Sequence, residues 1–384
     1  MPFKRAVLIC LVAVAVMFGI SLPAFSQQDS AGNSPLARRG LTFSGWLQLD
    51  GSAVASGGQP QASSFDGQYL LDVAFNIDTA KLAGLPGGTL LIDVQSHSGP
   101  SILTHQMPAL QDPDNMDAYS ETSVDRAWFQ QDWFGHKVQT QIGLMYVDDQ
   151  FFTVPFGQNF VSLDFSSDAS ISTFVLPTFP KGSFGGDVFV YPGRGLYFSA
   201  GMYNDHSTEL PYDPGGDLYL SEEGWQGKWR NLPLKLQVGA WTDTGRLRRF
   251  SGGITRQGSG VYLVASRKLW QPREHPDRGL GTFVQFGTGP PSVAAVRQHY
   301  GAGMVWTGPW AARAKDEIGF AFSDSLLTPQ AGFARGFENE FETYYQIAAW
   351  KGLTIQPDIE YWLHPGGTTT PNTLLLMTRI TYPF

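Results

Sequence analysis

The fold is decided by residues 353–384, LTIQPDIEYWLHPGGTTTPNTLLLMTRITYPF. In the first part of this stretch, apolar residues such as Ile355 and Ile359 alternate with polar residues such as Gln356 and Glu360. That period of two predicts a strand with one apolar and one polar face. A Pro-Gly-Gly turn separates it from a second alternating run, which ends at Phe384. Two such strands in succession predict a sheet with an apolar medium on one side and water on the other.

The same alternation recurs through the chain as far back as residue 41. Long and short gaps alternate between these segments. The longest gap, 146–183, contains a short apolar stretch at 170–176 that could form an additional strand, but we assign it to the loop. Long loops at one end and short turns at the other are typical of an up-and-down transmembrane barrel. We therefore predict an all-β fold, an antiparallel transmembrane β-barrel of about 16 strands with short periplasmic turns and long extracellular loops. The predicted strands are 41–50, 68–78, 88–96, 121–132, 136–145, 184–191, 195–203, 217–230, 234–243, 260–269, 279–287, 298–307, 315–323, 338–350, 353–363 and 373–384.

A soluble β-sandwich or β-propeller would also contain alternating strands. The last predicted strand favours the barrel, because Ile380, Tyr382 and Phe384 lie on one face and the strand ends on an aromatic residue. A terminal aromatic residue of this kind resembles the signal that outer-membrane assembly machinery recognises. We therefore expect Phe384 to be an assembly signal, and the assembly machinery and outer-membrane lipid to be partners.

The first 26 residues form a separate segment. Lys4 and Arg5 precede an apolar run, and small residues at Ala24 and Ser26 close it, which indicates a cleavable secretory signal peptide. The alternative is a transmembrane anchor, for which the run is near the lower length limit. Cys10, the single cysteine, lies in this segment. Beyond it we expect a flexible polar lead-in at 27–40 and one barrel domain at 41–384, in the outer membrane.

Composition narrows the class of function. The leader contains two of the 26 basic residues and none of the 34 acidic ones, so the remaining chain has a formal net charge of −10. An acidic chain does not suit nucleic acid as a partner. No lipase elbow, zinc-protease or nucleotide-binding motif is present, and the seven histidines lack metal-ligand spacing. The sequence therefore predicts no catalytic residues, no metal and no cofactor, although a membrane esterase built on His and Ser remains the enzymatic alternative.

The polar faces of the predicted strands supply candidates for the wall of a water-filled pore, because charges at membrane depth are tolerated on the water side. The pore-lining candidates are Arg126, Trp128, Lys228, Arg230, Lys235, Glu338, Glu340, Glu342, Asp358, Glu360, Trp362 and Arg379. Aromatic rings stack on the apolar faces of sugars, and mixed charges bond to hydroxyl groups. A sugar path is one interpretation, and a lumen in which any polar residue would serve is the other. A phosphate pore would need a row of basic residues along one side of the lumen, and the acidic balance of this chain argues against such a pore.

The gap at 146–183 is rich in phenylalanine, including Phe151, Phe152, Phe156 and Phe160. An exposed loop of this composition would be an aggregation hazard. We therefore predict that the loop folds inward and forms a constriction.

The chain resembles the carbohydrate-selective porin family, the OprB type. The resemblance rests on the opening strand GWLQLD at 45–50, the hairpin at 69–99 with its LAGLPGGT turn, the blocks at 125–152 and 308–322, and the C-terminal run. In that run Glu340, Glu342 and Tyr345 precede LTIQPDIEY at 353–361, PGG at 365–367, Arg379 and Phe384.

The resemblance implies a sixteen-stranded porin that passes monosaccharides and other small carbohydrates by facilitated diffusion. Two departures concern sugar preference: the family often has Gln where this chain has Glu360, and the loop at 146–183 does not match the family residue by residue. A non-selective or ion-conducting porin of the same architecture is the alternative function, and a barrel serving as an anchor or enzyme is a third. The sequence leaves a monomer and a trimer equally open.

Overall fold

The structure is a computed structural model that describes residues 35–62, 65–204 and 216–384. The predicted signal peptide and residues 27–34 of the predicted lead-in lie outside these ranges. Within them, α1 at Pro35–Arg38 leads directly into the first strand.

The described chain is mainly strand. All strands but β10 and β11 were predicted from their alternation, and most of their boundaries differ from the prediction by three residues or fewer. The largest difference is β1, which continues through the small residues of SAVAS, where alternation is weak. The strands are β1 Leu41–Ser56, β2 Asp66–Asp78, β3 Gly88–Ser98, β4 Glu121–Trp133, β5 Val138–Met145, β6 Ser183–Gly193, β7 Leu196–Asn204, β8 Asp217–Trp229, β9 Leu232–Asp243, β10 Leu247–Arg248, β11 Ile254–Thr255, β12 Gly258–Trp270, β13 Gly279–Thr288, β14 Val296–Thr307, β15 Glu317–Leu327, β16 Phe337–Ala348, β17 Thr354–Leu363 and β18 Thr373–Pro383.

Sixteen of these strands form one closed barrel in which each strand pairs antiparallel with its neighbours along the chain. β1 pairs with β18 and closes the sheet, with Asp50 opposite Arg379. The remaining two, β10 and β11, form a small hairpin in the loop between β9 and β12, which the sequence analysis did not predict. The predicted fold class is confirmed.

The two faces of the barrel follow the predicted alternation. On β17, Asp358, Glu360 and Trp362 are buried, whereas Ile359 and Tyr361 between them are exposed. Burial therefore marks the inner face, and the exposed apolar residues form the outer face. Side chains alternate strictly along a strand, so a slip of one residue would turn the carboxylates outward.

The connections are short at one end of the barrel and longer at the other. In the turn between β2 and β3, α2 at Thr79–Ala83 is capped by Asp78, whose carboxylate accepts from the backbone N–H of Ala80 at 2.9 Å. Gly84 ends this helix at a φ of 70°, a conformation that favours glycine. The other helices are α3 Ile102–His105, α4 Leu163–Ser166 and α5 Ala169–Ser172. Among the described residues, no helix has the length and apolar character to cross a membrane.

Two of the longer loops fold into the barrel. The long inner loop, residues 146–182, contains α4 and α5, and part of the apolar stretch at 170–176 lies in α5 rather than in a strand. The short inner loop, residues 99–120, contains α3 and packs against Trp362 and Leu375 on the inner face. Side chains of both loops are buried against inward residues of the strands, so the loops divide the lumen.

Candidate functional site in the barrel lumen

One side of the lumen is filled by aromatic packing between the long inner loop and the barrel wall. Phe160 contacts Phe165 and the wall residue Tyr344, with ring centroids 5.0 and 4.9 Å apart respectively. Phe152 lies edge-on to Tyr262 at 5.0 Å, and Phe151 is also fully buried. Edge-to-face rings at these distances add to the stability gained from burial.

A buried carboxylate fixes the loop on this aromatic side. Glu222 on β8 accepts hydrogen bonds from the backbone N–H of Phe152 at 2.8 Å and from the hydroxyls of Tyr197 and Tyr262 at 2.7 and 2.8 Å. Lys235, a predicted pore-lining residue, donates to the hydroxyl of Thr153 at 2.6 Å. Lys235 therefore faces inward as predicted, and its ammonium group holds the loop.

The predicted acidic wall on β16 lies under both inner loops. Glu342 accepts from the backbone N–H groups of Val161 and Ser162 at 2.7 and 3.1 Å, and Glu340 accepts from the Ser162 hydroxyl at 2.7 Å. Glu338 accepts from the backbone N–H groups of Leu110, at 3.1 Å, and of Gly366. These carboxylates face inward, but they are buried and bind the loops rather than water.

Arg379 on β18 forms an ion cluster beside this wall. Its guanidinium donates to Asp50 on β1 at 2.7 Å, and to Asp114 and Asn115 of the short inner loop at 2.9 and 2.8 Å. Burial and the neighbouring Asp50 raise the pKa of Asp114 well above its usual range, while the guanidinium of Arg379 opposes that shift. The cluster therefore attaches the short inner loop to the seam where the barrel closes.

Arg126 on β4 forms a second ion cluster. Its guanidinium lies 2.5 Å from Asp93 on β3, 3.0 Å from Asp149 of the long inner loop and 3.4 Å from Asp72 on β2. The ring of Tyr146 lies beneath it, 5.3 Å from the guanidinium carbon. Unlike the Arg379 cluster, this one is partly open, since 22% of the Arg126 side chain and 38% of the Asp149 side chain are exposed.

Asp148 precedes Asp149 of this cluster in the long inner loop, but its hydrogen bond goes to another residue of that loop. Its carboxylate accepts from the hydroxyl of Thr178 at 2.6 Å. Burial of the carboxyl group, followed by the charge of Asp149, raises the pKa of Asp148 from 3.8 to about 7.

A polar cavity of about 340 Å³ lies inside the barrel, next to Arg379. It is bounded on one side by strands β1, β16, β17 and β18 and on the other by the tip of the long inner loop. Gln356 connects the two, because its side-chain amide donates to the backbone carbonyl of Asn159 at 2.9 Å. Residues of its lining with side chains suited to hydroxyl groups or ring faces are Trp46, Gln48, Gln158, Asn159, Gln356 and Arg379.

The remaining predicted site residues take different positions. Asp358 and Trp362 face inward on β17, and the indole N–H of Trp362 donates to Glu360 at 2.8 Å. Trp128 faces inward and packs against the aromatic side. Lys228 is exposed near the end of β8.

Arg230 lies outside the wall. It is in the turn after β8, and its guanidinium carbon lies 4.9 Å from the ring centroid of Trp229. The alternating pattern predicts a strand as far as residue 230. The strand ends at Trp229, because the chain reverses at Arg230 and Asn231, which both have positive φ. Of the predicted constriction phenylalanines, Phe156 is the least buried and lies over Gly281 of β13.

Several residues that complete the lumen were not among the predicted site residues. Asp50, Asp93 and Asp114 are the partners of the two arginines, and Trp46 and Gln356 line the cavity. Asp50 and Gln356 lie on the polar faces of predicted strands, so alternation alone could have identified them. Nothing in the local sequence marks Asp114, because its loop docks from a distance.

Comparison with known families gives one model that matches most of the chain. It is the model of the carbohydrate-selective porin, OprB family, and it matches residues 64–384. A curated relative, Porin B of Pseudomonas aeruginosa, is 22% identical over an alignment of 217 residues, and the match covers 44% of this chain and 48% of that protein. The match thus spans about half of the length of the relative.

Solved structures resemble the whole barrel. The high-pH structure of Pseudomonas putida OprB covers 91% of this chain and 95% of its own, with a TM-score of 0.83 at 16% identity. The low-pH structure of the same protein covers 91% and 94%, with a TM-score of 0.64 at 16% identity. A mutant of Rh. blastica porin covers 90% and 100%, with a TM-score of 0.54 at 10% identity. At these identities the likeness shows the fold alone.

Proposed function

We propose that this chain, which belongs to the OprB family of carbohydrate-selective porins, lets small neutral sugars diffuse through the lumen of its barrel. The family and the closed sixteen-stranded barrel indicate a protein of the outer membrane. The sugars would enter at the long-loop end, pass the partly open Arg126 cluster, and leave through the polar cavity beside Arg379.

The observation that carries this proposal is the lining of the polar cavity. Gln48, Gln158 and Gln356 present amide groups, which both donate and accept hydrogen bonds, as sugar hydroxyls do. Trp46 offers an aromatic face to the apolar side of a sugar ring. Arg379 supplies a fixed donor whose own charge is compensated by Asp50 and Asp114. A lining of this kind matches a neutral polyol better than an ion.

The second candidate function is a non-selective or ion-conducting porin. It is favoured by the exposure of Arg126 and Asp149, because opposite charges across a water-filled passage create a local field that acts on ions. The two functions differ in whether a sugar occupies the passage long enough to interrupt the ion current.

Purified protein in a planar bilayer separates these candidates. We expect single-channel current to fall in a saturable way when glucose is added, and to remain constant with a neutral solute that has no ring, such as glycerol, at matched viscosity. A current that is the same with glucose and glycerol at every concentration would favour the non-selective pore. Absence of conductance from a fully folded protein would favour an anchor or an enzyme.

Export and assembly complete the proposal. We propose that a signal peptidase removes residues 1–26, which mass spectrometry of the membrane form would test by its new N-terminus near Gln27. Phe384 exchanges two backbone hydrogen bonds with Gly45, at 2.8 and 2.9 Å, and its ring lies 6.0 Å from that of Phe43. We propose that this residue is the assembly signal. Deleting it should lower the folded fraction, and a normal barrel yield would count against that role.

A further inference from the structure

Three glutamates converge on one point of the inner wall. Glu340 and Glu342 are successive inward residues of β16, and Glu360 of β17 lies directly opposite Glu342. One carboxylate oxygen from each lies within 4.8 Å of the others. The exposed fractions of Glu340, Glu342 and Glu360 are 0%, 1% and 0%. The group is therefore closed off from water by the long inner loop and by Trp362.

Two of the oxygen atoms of these three glutamates accept no hydrogen bond from the described residues. Each of Glu340 and Glu360 has one oxygen that accepts a hydrogen bond, from Ser162 and Trp362 respectively. The other oxygen, Oε1 in both residues, is buried and has no hydrogen-bond donor among the described residues. Asp358 interacts with Glu342, and its Oδ1 is also buried without a hydrogen-bond donor among the described residues.

Positive charge at this point is also insufficient. Arg379 lies on the adjacent strand β18, but its hydrogen bonds go to Asp50, Asp114 and Asn115. Two carboxylates thus already share that one cation. Buried carboxylates without a partner are costly, and proteins resolve the cost by pairing them or by binding a metal ion.

We propose that Glu340, Glu342 and Glu360 bind a hard divalent cation of the calcium or magnesium class. The donors are all carboxylate oxygens, which suit these ions rather than zinc or copper. Asp358, the inward residue next to Glu360 on β17, would supply a further oxygen. This site was not expected from the sequence, since ligands on two paired strands have no motif spacing.

The ion would hold the long inner loop to the wall. Glu340 and Glu342 already bind Ser162 and Val161 of that loop. A cation between the carboxylates would keep them ionised. The loop groups that donate hydrogen bonds to the carboxylates would orient them, as hydrogen-bond partners of metal ligands do in other proteins. The proposal does not depend on which solute the pore passes, because ion binding can be measured without any permeation assay.

The test is the metal content of the full chain, refolded in detergent at pH 8 with calcium chloride and then freed of excess ion by gel filtration. Refolding with the ion is needed because the site is closed. We expect about one calcium per chain by mass spectrometry, lost in Glu360→Gln and in Glu340→Gln. The matched control is Asp187→Asn, which removes another buried inward carboxylate, bonded to Tyr203 at 2.8 Å, and should keep the ion.

A second measurement covers variants that fold poorly. Calcium should raise the temperature at which the wild-type barrel loses its folded mobility on a gel, and magnesium is tested in parallel. The proposal is overturned if folded wild-type protein retains neither ion and gains no thermal resistance, in which case the carboxylates share protons. It is also overturned if Glu360→Gln retains as much calcium as wild-type.

Discussion

The two sides of the lumen hold the same loop by opposite means. On the aromatic side, the long inner loop packs Phe151, Phe152 and Phe160 against apolar residues of the wall. On the polar side, Val161 and Ser162 of the loop donate hydrogen bonds to Glu342 and Glu340. The first side is closed, whereas the polar cavity lies on the second.

This difference suggests that the aromatic side mainly stabilises the fold and that the polar side mainly acts on the solute. Aromatic burial stabilises the docked loop without requiring a partner for each atom. Buried ion clusters are expensive to desolvate and sensitive to the loss of one partner. The polar side is therefore expected to add less net stability than the aromatic side, and its position around the cavity suits a role in the passage of solute. Four substitutions test this division, and the first is expected to affect stability most.

Phe160→Ala should destabilise the protein most. The ring is fully buried between the loop and the wall, and removal of such a ring typically costs about 3–5 kcal/mol. Urea unfolding followed by tryptophan fluorescence would measure the loss. Phe156→Ala, at a less buried position of the same loop, is the control and should cost clearly less. Equal losses would show that the loop is not anchored by its packed rings.

Arg379→Gln should cost about 3 kcal/mol, because it leaves Asp50 and Asp114 buried without their cation. Arg126→Gln is the matched change in the partly open cluster. It should affect stability less and shift the ion selectivity of the pore toward cations. Unfolding and reversal potentials would be measured on both variants. The division fails if Arg126→Gln is the more destabilising of the two.

Stability should fall by roughly 2 kcal/mol between pH 5 and pH 7 through Asp148. Burial raises its pKa from 3.8 to about 7, so in this range the folded chain holds a proton that the unfolded chain has released. The folded state is then favoured at the lower pH. Asp148→Asn should remove this part of the pH dependence, which unfolding at the two pH values would reveal. An unchanged pH dependence would mean that Asp148 is ionised in the folded loop.

Trp46→Ala should weaken the block of current by glucose by about 3- to 10-fold, which corresponds to the 0.5–1.5 kcal/mol of an aromatic contact. Trp46→Phe, which keeps an aromatic face, should retain most of the block. Stability should change little, because the side chain is only partly buried at the cavity. If glucose blocks Trp46→Ala as strongly as wild-type, sugar does not contact this part of the lumen.

The barrel and the direction of its side chains could be predicted from the amino-acid sequence. Alternation is a local property of each strand, so the inward positions of Glu342, Glu360 and Arg379 could be predicted from a few neighbouring residues. The same pattern overran the turn at Arg230, where only the backbone reversal ends the strand. It also predicted that the phenylalanine-rich loop folds inward, since its composition excludes an exposed position.

The contacts of the inward residues could not be predicted in this way. Asp114 reaches Arg379 across 265 residues of sequence, and Val161 reaches Glu342 across 181. Such partners are set by where two loops dock in a closed barrel, and no local pattern records that docking. For this reason a wall that the sequence described as polar and water-lined is, along β16, a buried set of carboxylates that holds the loops in place.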